Sequence, residues 1–258
     1  MTHNNATSQA LILQDQEAFQ DPEAFQDPEA LKNDNHAVII LASGLSQRLG
    51  QAKQLLFKND EPLICSIIKL ALSTKPQTII VVIPDNKPAI KSTIAELALQ
   101  YSIIQTVINP TPETGMAHSL SLGIEALMNL GDSLVNRVLI MGIDQVLLDE
   151  AHLLALLAGK QIVVASGYHS WSRLDEMHLN KNAATNTSTQ NIIGLPLTID
   201  CTLLRQWQSE LIGDKGLRHL IRGLPPSQIH AVSNEQLSYD IDTPEQLAYA
   251  KQQGWIDE

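Results

Sequence analysis

Short apolar runs rich in β-branched residues recur along the chain, with helix-length segments between them. This alternation limits the fold more than any other feature. Residues 38–41, 78–83, 103–108, 137–141 and 162–165 read as five strands. Residues 63–72, 88–100, 115–130 and 149–157 read as the helices between them, with Pro84 ending a strand and Pro88 in a first turn. Residues 200–210 and 216–222 look helical, 229–232 reads as a strand, and 243–253 as a last helix. That helix has Thr243 or Asp242 as N-cap, Pro244 at its first position and Glu245 in its first turn. Strand and helix in alternation predict an α/β fold: a mostly parallel sheet with helices on both faces. Ligands in such sheets bind at the carboxyl ends of the strands. Gly44, Asn109, Gly115 and Asp144 all follow predicted strands, so they are expected to gather on that edge.

Two stretches stand outside the rhythm. Residues 1–35 are polar and acidic and repeat Glu-Ala-Phe-Gln-Asp-Pro at Glu17 and Glu23. They are expected to form a disordered or loosely helical arm, with Pro22 and Pro28 breaking any long helix. Residues 172–191 contain an Asn, Thr, Ala and Ser-rich run and read as a mobile loop or insertion. Residues 36–258 are then read as one domain.

A net charge of −11 argues against a nucleic-acid partner, whose backbone demands basic surface. It also means that an anionic substrate needs a local cationic pocket. No apolar run approaches the length of a membrane span, and no secretory signal is visible, so no membrane partner is expected. Cys65 and Cys201 have no metal-ligand spacing and fit a reducing, cytoplasmic setting.

The first strand breaks into Ala42-Ser43-Gly44, followed by Ser46, Arg48, Gly50 and Lys53. Small residues let backbone amides approach oxygens, and two cations add charge, so this loop suits a phosphate chain. Its glycine spacing matches neither a Walker A loop nor GxGxxG. A second candidate is Asp144, just past a strand and beside Gln145, a hard-oxygen ligand suited to magnesium. Asp144 could equally cap a turn, and Asp242 could simply cap the last helix.

LASGLSQRLGQAK resembles the LAAGxSxRMGxxK signature of the MobA-like nucleotidyltransferases, and within them it is most similar to the molybdenum cofactor cytidylyltransferases. Five further segments match segments of the family. Met141-Gly142-Ile143-Asp144-Gln145-Val146 resembles a GDQP motif, with Ile143 and Val146 as departures. Gly115-Met116-Ala117-His118-Ser119-Leu120 resembles a GMSSSL helix start, with His118 where a small hydroxyl residue is usual. Gly194-Leu195-Pro196 and Gly213-Asp214-Lys215-Gly216-Leu217-Arg218 resemble GxP and GDxGxR segments. Asp240-Ile241-Asp242-Thr243-Pro244-Glu245 resembles DIDTPE.

The resemblance implies a Rossmann-like three-layer α/β sandwich of the nucleotidyltransferase type. It implies that Leu41, Ala42, Ser43, Gly44, Ser46, Arg48, Lys53, Asn109, Gly115 and Ser119 bind the nucleotide. Asp144 and Asp242 would hold Mg2+, with Arg48, Lys53 and Asp144 catalytic. Gly194, Pro196, Asp214, Lys215 and Arg218 would meet the acceptor. The implied reaction moves CMP from CTP to the terminal phosphate of molybdopterin, releasing pyrophosphate, with a molybdoenzyme as a further partner. Ala42-Ser43-Gly44 stands nearer the Ala-Ala-Gly of cytidylyltransferases than the Ala-Gly-Gly of guanylyltransferases, which favours CTP over GTP. Three alternatives stay open: use of GTP, another phosphorylated acceptor, and a non-catalytic carrier of a nucleotide cofactor.

Overall fold

The computed structural model describes residues 35–131, 135–168, 192–212 and 216–258. The expectations for residues 1–34 and 172–191, and for Asp214 and Lys215, lie outside the described residues. Among those described, no helix is long and apolar enough to cross a membrane.

The architecture is the expected three-layer α/β sandwich. A seven-stranded sheet runs in the order β5-β4-β1-β6-β8-β7-β9. Its strands are β1 (His36–Leu41), β4 (Thr78–Pro84), β5 (Ile104–Asn109), β6 (Arg137–Met141), β7 (Val163–Tyr168), β8 (Ile192–Asp200) and β9 (Ile229–Ser233). All neighbours pair in parallel except β8, which runs antiparallel to both β6 and β7. β1, β4 and β6 are buried along their whole length. That is why they read as unbroken apolar runs rather than alternating ones.

Alternate residues of β1 serve two cores. Val38 and Ile40 pack with α1 (Leu63–Ser73), α2 (Pro88–Gln100), α4 (Glu150–Ala158) and α7 (Pro244–Gln252). Ala37, Ile39 and Leu41 pack with α3 (Met116–Asn129), α5 (Cys201–Trp207) and α6 (Leu217–Ile221) on the other face. α3 lies close to the sheet at Gly123, where a Cβ would meet Ile39 Cγ2 at 2.8 Å.

Two elements depart from the expectations. β2 (Phe57–Lys58) and β3 (Glu61–Pro62) form a small antiparallel hairpin. Its turn is Asn59-Asp60, both in the left-handed region with φ of 53° and 63°, as a two-residue hairpin turn requires. β8 was expected only as a return to order at Gly194-Leu195-Pro196-Leu197, yet it is a strand of nine residues. Its register against β7 shifts so that Ala165 pairs with Leu197 but Ser166 with Gly194. Leu195 and Pro196 therefore bulge out of the ladder, the place where a proline costs no ladder bond.

Candidate active site

The loop after β1 is braced from inside. Gln54, fully buried, donates to the carbonyls of Ala42 at 2.7 Å and Gly44 at 2.9 Å. Lys87 Nζ donates to the Leu45 carbonyl at 3.0 Å. Ser46 takes a left-handed φ of 53°, and its hydroxyl accepts the Lys53 amide at 3.3 Å. Gly44 is exposed, with open space where a Cβ would stand.

Ser43, Asn109 and Ser119 form a buried polar chain rather than an open surface. The Asn109 amide donates to Ser119 Oγ at 3.1 Å and Ser43 Oγ at 3.4 Å. The two hydroxyls are 2.5 Å apart, and Ser119 donates onward to the Gly115 carbonyl at 3.3 Å. Gly115, the residue before α3, has φ of 101°, a conformation that side chains rarely take. These residues were expected to touch the nucleotide. Asn109 and Ser119 are buried here and tie the first loop to the start of α3.

The segment after β6 and the segment before α7 are joined directly. Gln145 and Asp240 form an antiparallel bridge, and the Ile241 amide donates to the Asp144 carbonyl at 3.2 Å. The Gln145 side chain donates to the bulged Leu195 carbonyl at 2.8 Å, which fastens β8 to the same loop. Ile143 and Val146, the departures from GDQP, are both buried in the core and anchor the loop by packing. A Cβ at Gly142 would lie 2.8 Å from Asp144 Oδ1, so glycine leaves room for that carboxylate.

Asp242 does not cap the last helix. Thr243 does, in a capping box with Gln246, whose Oε1 also accepts the Asp242 amide at 2.8 Å. The Asp242 carboxylate is thereby left for other partners. It meets Arg48 Nη2 at 2.7 Å and Lys53 Nζ at 2.6 Å, while Asp144 Oδ2 lies 3.4 Å from the same Lys53 nitrogen. Two contacts to one nitrogen place these carboxylate oxygens no more than about 6 Å apart, whereas direct ligation of one magnesium brings two oxygens to within about 4 Å.

The electrostatics follow from this crowding. Burial works against the Lys53 ammonium, but the charges and hydrogen bonds of Asp144 and Asp242 outweigh it and hold its pKa above the ordinary value. Burial would raise Asp242, yet Lys53 and then Arg48 pull it below the usual carboxylate range. Asp240, which the sequence reading passed over, is pushed up to about 6 by burial and then by the charges of Asp144 and Asp242, against a smaller opposing effect of Lys53.

That shift has a sign that can be measured. The folded chain binds the Asp240 proton more tightly than the unfolded chain. Its stabilisation is therefore present below 3.8 and is lost as pH rises to about 6. Asp242 has the opposite sign but acts below 3.8, outside this window. In chelated buffer, Asp240→Asn is expected to gain in Tm over the parent chain as pH rises through the window. A difference that does not vary with pH would remove Asp240 as the titrating group.

Beside the carboxylates lies a cavity of about 500 Å3 lined by Asp144, Asp242, Asp240, Tyr168, Gly194 and Arg218, with an apolar remainder that includes Leu41 and Leu120. This is an ordinary size for a small-molecule site. A Cβ on Gly194 would stand 2.4 Å from Tyr168 Oη, so the glycine is what admits the ring. Pro196 is buried and contributes its carbonyl to Ser166 Oγ at 2.6 Å, away from the cavity lining.

Among the described residues no three His, Cys, Asp or Glu side chains form a ready-made cation cage. The donor set nonetheless fits magnesium, which takes one or two protein carboxylates and completes its shell with water and substrate phosphates.

The fold matches several solved structures. A nucleotidyl transferase from Methanothermobacter is 17% identical with a TM-score of 0.63, covering 86% of this chain and 98% of its own. The 4-diphosphocytidyl-2C-methyl-D-erythritol synthase of Anaerococcus prevotii is 15% identical with a TM-score of 0.62, covering 88% and 99%. Rv0371c of Mycobacterium tuberculosis H37Rv, solved as a complex with manganese, is 16% identical with a TM-score of 0.56, covering 83% and 97%. No curated protein sequence matches the chain. Identities this low speak for the fold alone, but the MobA-like NTP transferase domain also matches residues 38–232. With that match over most of its length, the chain belongs to the MobA-like NTP transferase family.

Proposed function

We propose that the chain transfers CMP from CTP to the terminal phosphate of molybdopterin, releasing pyrophosphate. One observation carries the reading: Asp144 and Asp242, from distant parts of the chain, converge on Lys53 beside the glycine loop. That juxtaposition of carboxylates, cations and free backbone amides suits a triphosphate and its counter-ion.

The loop amides, Arg48 and Lys53 bind the triphosphate and stabilise the charge of the departing pyrophosphate. Asp144 and Asp242 would hold magnesium, which would supply positive charge to neutralise the phosphate under attack. The nucleophile is an acceptor phosphate already ionised near neutral pH, so no general base is required, and positioning carries the rate. Arg218 and Gly194 line the cavity in which the acceptor sits next to the carboxylates.

Base choice rests on Ser43. Its side chain, buried against Asn109 and Ser119, packs behind the loop, and this bulk keeps the base site narrow, which favours the smaller cytosine. Because the Ser43 hydroxyl is engaged by Asn109 and Ser119, bulk and hydrogen bonding can be separated. Ser43→Gly is expected to move the CTP/GTP ratio of kcat/KM toward GTP by on the order of tenfold. Ser43→Ala keeps the Cβ and is expected to leave the ratio near that of the parent chain. A ratio unmoved by Ser43→Gly would show that position 43 does not read the base. The proposed activity itself is tested by pyrophosphate release from CTP and GTP with molybdopterin as acceptor.

A further inference from the structure

We infer that Gln54 is a positioning residue that aims the amides of Ser43 and Leu45 at the phosphate chain of the nucleotide, an inference that rests on the proposed function. Gln54 lies in the short 3-10 turn Lys53–Leu55 and is fully buried. Its side-chain nitrogen donates to two carbonyls, those of Ala42 and Gly44. These acceptors fix the amide's orientation, since Oε1 in the same place would oppose two carbonyl oxygens.

A trans peptide group points its N–H opposite to its C=O. The peptide bonds of this loop are trans. Holding the Ala42 and Gly44 carbonyls toward a buried side chain therefore turns the N–H groups of Ser43 and Leu45 away from the interior. Among the described residues neither N–H donates to a protein acceptor. Gly44 stands between them with open space at its Cα. Two outward amides flanking an uncluttered residue form a concavity for an anionic oxygen. The Ser43 side chain is held inward by Asn109 and Ser119, so the loop is fixed from both sides.

A side chain that only filled the core would be apolar here. Gln54 Oε1 is buried with no partner among the described residues, a cost that methionine, of similar length, would not carry. What an apolar side chain lacks is the pair of donors.

The test uses the full chain with Gln54→Met, which keeps the shape, and Gln54→Glu, which cannot supply both donors. Inorganic tripolyphosphate is the probe, titrated calorimetrically well below the melting temperature of each variant. Both variants are expected to bind it more weakly by on the order of tenfold or more, as the loss of oriented donors to a charged group implies. In turnover, KM for CTP is expected to rise more than kcat falls. Backbone amide resonances of Ser43 and Leu45 are expected to shift on tripolyphosphate addition in the parent chain and to lose that response in Gln54→Met. Tripolyphosphate affinity equal to that of the parent chain in both variants, or silent Ser43 and Leu45 amides, overturns the inference and leaves the proposed function standing. A parent chain that binds neither tripolyphosphate nor CTP overturns both.

Discussion

Asp144→Asn is expected to lower kcat by on the order of 1,000-fold or more while leaving Tm within a few degrees, because on the proposed function several kcal/mol of charge stabilisation depend on the cation this carboxylate would hold. The backbone role of Asp144 survives the change, since the Ile241 amide bonds to its carbonyl and not its side chain. The lost ion pair is the longer of the two to Lys53, at 3.4 Å, and the Asp144 side chain is 36% exposed, so little stability is at stake. Mn2+ affinity, read from the free-ion signal in electron paramagnetic resonance, is expected to fall with activity. Activity close to that of the parent chain would remove Asp144 from the catalytic centre. Asp242→Asn is expected to be milder, because asparagine keeps an oxygen ligand, and Thr243 rather than Asp242 caps the helix.

Lys53→Met carries the second large effect, and it has two opposite readouts. Lys53 now neutralises both carboxylates from a buried position. Without its ammonium, Asp242 keeps its ion pair with Arg48, whose side chain is 73% exposed, and Asp144 keeps no ion pair among the described residues. Mn2+ in the absence of nucleotide is therefore expected to bind more tightly to the variant, since an internal cation no longer competes for the same oxygens. Turnover is expected to move the other way, with kcat/KM down by on the order of 100-fold, because the variant loses the charge that the proposed function sets against the phosphates. Tighter Mn2+ with unimpaired turnover would make Lys53 a counter-ion only. Weaker Mn2+ would show that the lysine assists the metal site and does not occupy it.

The parallel part of the sheet was legible because burial on both faces writes an unbroken apolar run. Residues 78–83 and 137–141 announce β4 and β6 in this way. β8 was not legible as a strand because Gly194 and Pro196, which normally argue against a strand, sit at its bulge, where β7 and β8 change register. The β2–β3 hairpin did leave a signal, Asn59-Asp60 between extended residues, but two-residue strands carry no periodicity.

In the site, residue types that suit phosphate and cation were visible as single letters, and so was the competition between capping and ligation at Asp242. What decides that competition is the Gln246 side chain folding back on the Asp242 and Thr243 amides, a contact that sequence only hints at. Gln54 and Asp240 were missed for a related reason. A glutamine after a lysine and an aspartate two residues before another carry no signal until the chain brings Ala42, Gly44 and Asp144 against them. The burial of Asn109 and Ser119 likewise depends on where α3 begins relative to the first loop.

The central claim is nucleotidyl transfer at the Asp144–Lys53–Asp242 centre, and pyrophosphate release tests it most directly. The full chain, given Mg2+, molybdopterin and either CTP or GTP, is predicted to release pyrophosphate stoichiometrically with dinucleotide product. CTP should be the faster substrate, and the release should be lost on chelation and in Asp144→Asn. No pyrophosphate from either nucleotide with metal and acceptor present, or release undiminished in Asp144→Asn, would contradict the account.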